Sequence, residues 1–300
     1  MSGSVTNPAP PRIGVVITTV GRWDELRTLL GELAGQSQPP AAVAIAHHDA
    51  SAADALGAVV ASFADKLTIT TAVSPRGISN GRNAAVATLG DDIDWVWFPN
   101  DTSRIDPDFL ERVAPHLTSD VTVCAVQLVD REGPRNSLPP PGTPVDRRNI
   151  WGPIEPATMF RRQNLLRAGG FDPEIGSGAA SPWQAGEGTD LLLRMSAEDD
   201  FAIAWVDDVA VRAQTEFAHL TPRERRRKIR NYGRGTGYLY RRWKYPVWQR
   251  FRHVVGAALM PLRNSDKFTF TDGVALAVGR AEGLFGRVIS GDQDNRAILR

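Results

Sequence analysis

The stretch from Arg12 to Val20, RIGVVITTV, is a β-branched run closed by Gly21, and WDELRTLLGELAGQ follows with apolar positions at helical spacing. A short buried strand that turns at once into an amphipathic helix is the repeating unit of parallel α/β architecture. The alternation continues with AAVAIAHHDAS as strand, SAADALGAVVASFA as helix, KLTITTAV as strand, GISNGRNAAVATLG as a turn becoming helix, and DWVWFPND as a fourth strand. These first hundred residues predict a nucleotide-binding half-domain on a Rossmann-like, mostly parallel central sheet flanked by helices. Ligands of such sheets collect at the carboxyl ends of the strands.

Beyond Asp106 the reading is a helix, PDFLERVAPHL, a strand, VTVCAVQLVD, and a Pro-rich loop, LPPPGTP. PATMFRRQNLLRAGGFD resumes strand and helix and stops at Gly169 and Gly170. GSGAASPWQAGEG is a Gly-rich loop holding Glu187, and TDLLLRMSAED is a helix with Thr189 or a neighbour at its cap. After about residue 220 arginine and aromatic residues dominate. The expected organisation is a loose tail over 1–11, an α/β domain over 12–220 and a basic, aromatic helical extension over 221–300.

Composition limits the partners. The 300 residues carry 35 Lys plus Arg against 34 Asp plus Glu, a formal net charge of +1, so no whole-molecule field draws the protein onto nucleic acid. The single cysteine, Cys124, excludes an internal disulfide and a Cys-based zinc site, and its apolar surroundings make it core filler. MSGSVTNPAPP lacks the features of a secretion signal, and no apolar run is long enough to cross a bilayer. The expectation is a cytoplasmic protein, with peripheral attachment to the inner face of the plasma membrane left open.

Asp101 stands where the fourth strand surfaces, a position where a carboxylate binds a hard cation whose shell phosphate oxygens complete. Asn100 and Asp101 also suit a plain turn, and both readings stand at this point. Asp49 ends the second strand in the same way, as a solvated turn residue or an acceptor for a base or ribose. RERRRKIRNYGRGTGYLYRRWKY interleaves positive charge with Tyr232, Tyr238, Tyr240 and Trp243. Such a stretch suits RNA, anionic lipid, a diphosphate or bare solvent.

Taken in order, VVITTVGR, HHDAS, GISNGRNAAV, FPNDTS and GGFDPEIGSGAASPWQAGEGTDLLLR resemble the motifs of a family 2 glycosyltransferase with the GT-A fold, over roughly residues 12 to 245. The Tyr-Gly-Arg-Gly run resembles that of a bacterial subset that builds surface polysaccharides. The resemblance implies that Asp101 binds a divalent metal, Mg²⁺ or Mn²⁺, as the last residue of an Asp-x-Asp site, with Pro99 and Asn100 replacing the other two positions. It implies that Asp49 meets base or ribose, that Thr18, Thr19, Arg22 and Asn100 border the nucleotide, and that Arg82 contacts diphosphate or base. His219 lies near the place where the family has a histidine at the metal or diphosphate.

Inverting transfer needs a carboxylate to take the acceptor hydroxyl's proton. The family's Glu-Asp pair is altered here by Gly188, which leaves Glu187 and Asp190 as candidates, with Asp190 preferred. Trp183, in the Gly-rich loop, suits stacking on a sugar ring, with a core tryptophan as the alternative. The resemblance therefore implies a metal-dependent transferase that moves a sugar from a nucleoside diphosphate donor to a saccharide hydroxyl, lipid-linked, in cell-surface polysaccharide or glycolipid synthesis. VWQRFRHVVGAALMPL, with apolar and basic residues at helical spacing, adds docking to a membrane surface, with a plain helical lid as the alternative. A nucleotidyltransferase making nucleotide sugars shares the architecture, but TTVGRWDEL is not a Gly-rich, basic phosphate-gripping turn. A catalytically inactive nucleotide-binding module is the third reading, favoured by Pro99, Asn100 and Gly188.

Overall fold

The computed structural model describes residues 10–215, 217, 220–265 and 267–289. Eight strands form one sheet: β1 (Ile13–Thr18), β2 (Ala42–His47), β3 (Ile69–Val73), β4 (Trp95–Trp97), β5 (Val123–Asp130), β6 (Gly133–Pro134), β7 (Thr158–Arg161) and β8 (Ile203–Arg212). Their order is β3-β2-β1-β4-β7-β5-β6, with β8 paired to β5. Four of the seven pairings are parallel, and β7 reverses direction between β4 and β5. The α/β sheet expected from the alternation is therefore present. Val15, Val16, Ile17 and the run Val43 to Ala46 are buried, as strands covered on both faces require.

Helices α1 (Trp23–Ala34), α2 (Ala53–Ala61), α3 (Ile78–Val86) and α4 (Phe109–Val113) alternate with the first strands. Helix α1 buries Leu26, Leu29, Leu30 and Leu33, the 3–4–7 stripe that seats a helix on a sheet. Strand β4 is shorter than DWVWFPND suggested. Pro99 offers no N–H to a ladder, and the chain rejoins β1 only through an isolated bridge between Asn100 and Thr18. Arg104 pairs with Glu25, and the Ile105 amide donates to Glu32 Oε2 at 2.9 Å, so α1 holds the loop after β4 in place. Cys124 is fully buried in the sheet, where burial pushes its thiol up to about 12.

The chain divides into two compact units. One contains the sheet and consists of the chain up to Val73 with Ala84–Gly169 and Leu193–Gln214; the other consists of Ser74–Asn83, Gly170–Leu192 and the chain from Thr215 onward. A single boundary at residue 220 does not describe this division, because the Gly-rich loop folds with the C-terminal helices. Helices α5 (Arg162–Arg167) and α6 (Glu187–Met195) precede β8, and α7 (Pro222–Arg242), α8 (Val247–Ala258), α9 (Met260–Arg263) and α10 (Phe270–Phe285) follow it. Among the described residues no helix is long and apolar enough to cross a membrane.

Helix α7 starts in a capping box, with Thr221 and Glu224 exchanging bonds around Pro222. It packs on α10 at backbone distance. A Cβ on Gly237 would lie 2.2 Å from the Arg280 carbonyl, and one on Gly279 would lie 2.1 Å from that of Arg230. Only glycine permits that approach. Gly235 uses another face of α7, where a Cβ would lie 2.1 Å from the Ala185 carbonyl in the Gly-rich loop. Between the helices Arg234 Nε meets Glu282 at 2.6 Å with both side chains fully buried, and Arg230 pairs with the same carboxylate. The Tyr-Gly-Arg-Gly stretch is thus interior packing in this unit, not a free basic surface.

Gly237→Ala should destabilise the protein by about 2 kcal/mol or more, since the backbone opposite cannot yield. Gly57→Ala, on the exposed side of α2 with nothing near, should add up to about 1 kcal/mol. Urea denaturation of both variants checks the contrast. His253 gives a second expectation. It stacks on Tyr240 at 4.0 Å, and burial, followed by the nearby Arg280 charge, holds its imidazole down at about 2. The folded protein therefore keeps His253 neutral while the unfolded chain protonates it below about 6.5. Stability should be insensitive to this group above neutrality and fall by about 1.4 kcal/mol per pH unit below about 6.5. In His253→Phe the slope of stability against pH between 6.5 and 5 should shrink by about one proton.

Candidate active site

The carboxyl ends of β1, β2 and β4 lie side by side, because the Thr19 amide donates to the Ala46 carbonyl at 3.0 Å and Thr18 bridges Asn100. Five of the expected residues meet there: Thr18, Thr19, Arg22, Asn100 and Asp101. Asp101 is fully buried, and Thr19 Oγ1 donates to its Oδ2 at 2.9 Å. Arg22 grips the same carboxylate with both arms of its fork, Nε to Oδ2 at 3.0 Å and Nη2 to Oδ1. Asn100 closes a tight turn, with its amide donating to Ser103 Oγ at 3.1 Å and its carbonyl accepting from the Ser103 amide. The turn and the buried acid are both present: the turn is what sends Asp101 inward.

Asp49 follows β2 and is exposed. Its Oδ1 accepts from the Ser51 hydroxyl at 2.7 Å and the Ser51 amide at 2.9 Å, and these bonds hold its carboxyl below the ordinary range. Its local part is to cap the short helical turn Ala50–Ala52. His47, which motif reading passed over, ends β2 at 5% exposure, and among the described residues its Nδ1 has no hydrogen-bond partner. A buried ring nitrogen without a partner is costly in a folded chain unless a ligand or water supplies one.

The residues around Asp101 supply one carboxylate and one hydroxyl toward a divalent cation. A hard cation takes six or more oxygens, and among the described residues no group of three or more His, Cys, Asp and Glu gathers as a metal cluster. His219, expected as a second ligand, lies outside the described residues. The residues present fit a site with one carboxylate, where phosphate oxygens and water would have to complete the shell of a cation. Arg22 stands on Asp101 with its side chain half exposed, so the guanidinium can leave without opening the core.

The remaining candidates belong to the other unit. Helix α6 begins at Glu187, two residues before the expected cap, directly after Gly186 with φ +94°. Glu187 is therefore not in a loop with free reach. It lies in the first helical turn at 8% exposure, with Oε1 3.3 Å from Arg82 Nη1. Arg82 is itself buried and stands over the Phe171 ring at 4.9 Å, so it reads as the partner of Glu187 rather than as a surface helix arginine. Asn83 continues the brace, exchanging bonds with the Phe171 backbone at 2.7 and 2.9 Å.

Asp190 is also fully buried. Its Oδ1 accepts the Trp243 indole N–H at 3.0 Å, with Arg242 Nε at 3.5 Å, and Arg242 reaches on to Asp172 at 2.5 Å. Arg242 and Trp243 stood in the sequence as members of a basic, aromatic stretch. The pairing of Trp243 with an aspartate 53 residues away has no local signal. Trp183 is half-buried, with one ring face stacked on Tyr238 at 4.7 Å and 6° between planes. Tyr238 of α7 thus supports the Gly-rich loop.

The profile of glycosyl transferase family 2 matches residues 14–177, more than half of the chain, and the protein belongs to that family. No curated sequence matches it. Among solved structures, a mannosyltransferase from Pyrobaculum calidifontis, PcManGT, determined with GDP-Man and Mn²⁺, has a TM-score of 0.60 at 14% identity. The alignment covers 97% of this chain and 84% of that one. Residues 1–349 of S. aureus TarS align with a TM-score of 0.54 at 14% identity, over 93% of this chain and 95% of that one. The same TarS segment with UDP-GlcNAc gives 0.53 at 16% identity and equal coverage. At these identities the likeness establishes the fold, and it is the GT-A fold.

Trp243→Phe keeps the ring and removes the N–H on Asp190. It should cost about 1.5–3 kcal/mol of stability, the value of a bond to a buried charge, as measured by chemical denaturation.

Proposed function

We propose that the protein is an inverting glycosyltransferase that moves a sugar from a nucleoside diphosphate donor to a hydroxyl of a saccharide acceptor. The observation that carries this reading is Asp101, a buried carboxylate delivered to the carboxyl ends of β1, β2 and β4 in a chain of glycosyl transferase family 2. Donor binding is assigned to Thr18, Thr19, Arg22, Asp49, Asn100 and Asp101, with His47 added because its Nδ1 has no partner among the described residues. Asp101 would hold the divalent cation, Mg²⁺ or Mn²⁺, which when bound neutralises charge on the departing diphosphate. The relative solved with GDP-Man and Mn²⁺ supports that part.

Asp190 is assigned as the base. The acceptor O–H proton passes to its carboxylate as the acceptor oxygen bonds to the anomeric carbon. The bond from that carbon to the diphosphate breaks, and the nucleoside diphosphate leaves with the electron pair. Trp243 and Arg242, both on Oδ1, hold the Asp190 side chain in place. Glu187, tied to Arg82, is the other candidate. Trp183 is assigned to the acceptor sugar, since a ring stacked on Tyr238 on one face is rigid enough to offer the other. A lipid-linked saccharide at the cytoplasmic face of a membrane, in polysaccharide or glycolipid synthesis, is the acceptor class we favour.

A panel of nucleotide sugars with Mn²⁺ or Mg²⁺ tests the reading, with nucleoside diphosphate release expected. Pyrophosphate formation from sugar phosphate and nucleoside triphosphate would instead make it a nucleotidyltransferase, and binding without turnover an inactive module. Asp190→Asn should lower kcat by about 10²-fold or more and leave donor affinity unchanged. Glu187→Gln should lower it less, and the reverse order would move the base to Glu187. Asp101→Ala should abolish Mn²⁺-dependent donor binding in calorimetry.

A further inference from the structure

Helices α8 and α10 lie alongside one another in opposite directions: Arg280 donates to the His253 carbonyl at 2.7 Å, while Gly273 packs against Ala257 and Pro261. Their inward faces bring Ala257 and Leu276 onto Ile229 of α7 in a small core. The outward side is unusual. Trp248, Phe251, Leu259 and Leu262 recur at helical spacing along α8 and into α9, at 54%, 70%, 41% and 82% exposure. Phe270 and Phe285, at the two ends of α10, are 74% and 78% exposed. A soluble surface seldom leaves so many large apolar side chains in water on adjoining helices.

Among the described residues the exposed charge around them has one sign. From Val247 to Ile289 the described carboxylates are Asp272 and Glu282, at 2% and 1% exposure. Both are consumed inside the unit, Asp272 by Arg225 and Glu282 by Arg230 and Arg234. Arg252, Arg263, Lys267 and Arg287 remain exposed. The described surface of α8 to α10 therefore offers bulky apolar groups and positive charge without an exposed carboxylate. Aliphatic groups as exposed as Leu262 have nothing to stack on in RNA, while a protein surface would need matching acids and an apolar hollow. An anionic bilayer supplies both complements at once, acyl chains for the apolar groups and headgroup charge for the basic ones.

We propose that the outward face of α8, α9 and α10 docks on an anionic lipid surface, with Trp248, Phe251 and Leu262 entering the headgroup boundary. This deepens the reading of a lipid-linked acceptor and rests on it for its purpose, so donor turnover with a water-soluble acceptor is followed in parallel. The full-length protein is sedimented with vesicles of equal parts phosphatidylglycerol and phosphatidylcholine, and with pure phosphatidylcholine. Binding is expected to the anionic vesicles, weakened by salt, and to be negligible on the neutral ones. The triple substitution Trp248→Ser, Phe251→Ser, Leu262→Ser should lower the bound fraction about tenfold or more, with an unchanged thermal melt. The pair Arg252→Glu, Arg263→Glu should do the same by removing the charge attraction.

Absence of sedimentation at low salt overturns the proposal, as does wild-type sedimentation of both variants. So would a dimer seen by light scattering and dissolved by the triple substitution without vesicle binding, which gives the face to a second copy. RNA retention without vesicle binding would give it to nucleic acid. If vesicles bind while no nucleotide sugar is turned over, docking stands and the transferase reading falls; turnover without docking gives the converse.

Discussion

A carboxylate with no solvent exposure is tolerable only beside a cation or a set of donors, and Asp101 fixes the geometry of the sheet's ligand-facing end for that reason. Arg22 and Thr19 meet it from the turn after β1, so the pair joins the two central strand ends that local hydrogen bonding alone connects by one bridge. Everything assigned to the donor follows from this. The carboxylate is preformed at the carboxyl ends of the strands, and its partner Arg22 has a half-exposed side chain. A guanidinium in that place makes Asp101 stable in the free protein and leaves room for exchange of one cation for another.

The other unit repeats the logic with different parts. Glu187 and Asp190 lie one helical turn apart on α6, and each is held by its own cation: Arg82 for Glu187, Arg242 for Asp190. The C-terminal helices therefore do more than extend the chain. The glycine contacts of α7 against α10 set the position of α7, and the end of α7 brings Trp243 to Asp190. The same helices turn an apolar, basic face outward, so one layer both orders the acid and offers a surface for the medium in which an acceptor lipid would sit.

Much of the sheet was legible because strand and helix periods are local. RIGVVITTV, AAVAIAHH and KLTITTAV gave β1, β2 and β3, and PATMFRR gave β7 and the start of α5. Errors arose where a backbone requirement or a distant partner decided the outcome. Pro99 shortened β4, and Gly186 let α6 start two residues early, which moved Glu187 from loop to helix. The pairings that hold the candidate residues within each unit join positions 79, 105 and 53 apart, and no periodicity encodes them. The basic run over α7 was the most misleading segment. Its arginines suggested a surface, but Arg234 is a core residue paired with Glu282.

The central claim is that Asp101 exchanges Arg22 for a cation carrying the donor diphosphate. A crystal structure with nucleoside diphosphate and Mn²⁺ tests it most directly. The account predicts the metal on Asp101, the diphosphate at the carboxyl ends of β1 and β4, and the Arg22 guanidinium turned away from the carboxylate. Nucleotide bound elsewhere, or bound there with the Arg22–Asp101 pair intact and no metal on Asp101, would contradict it.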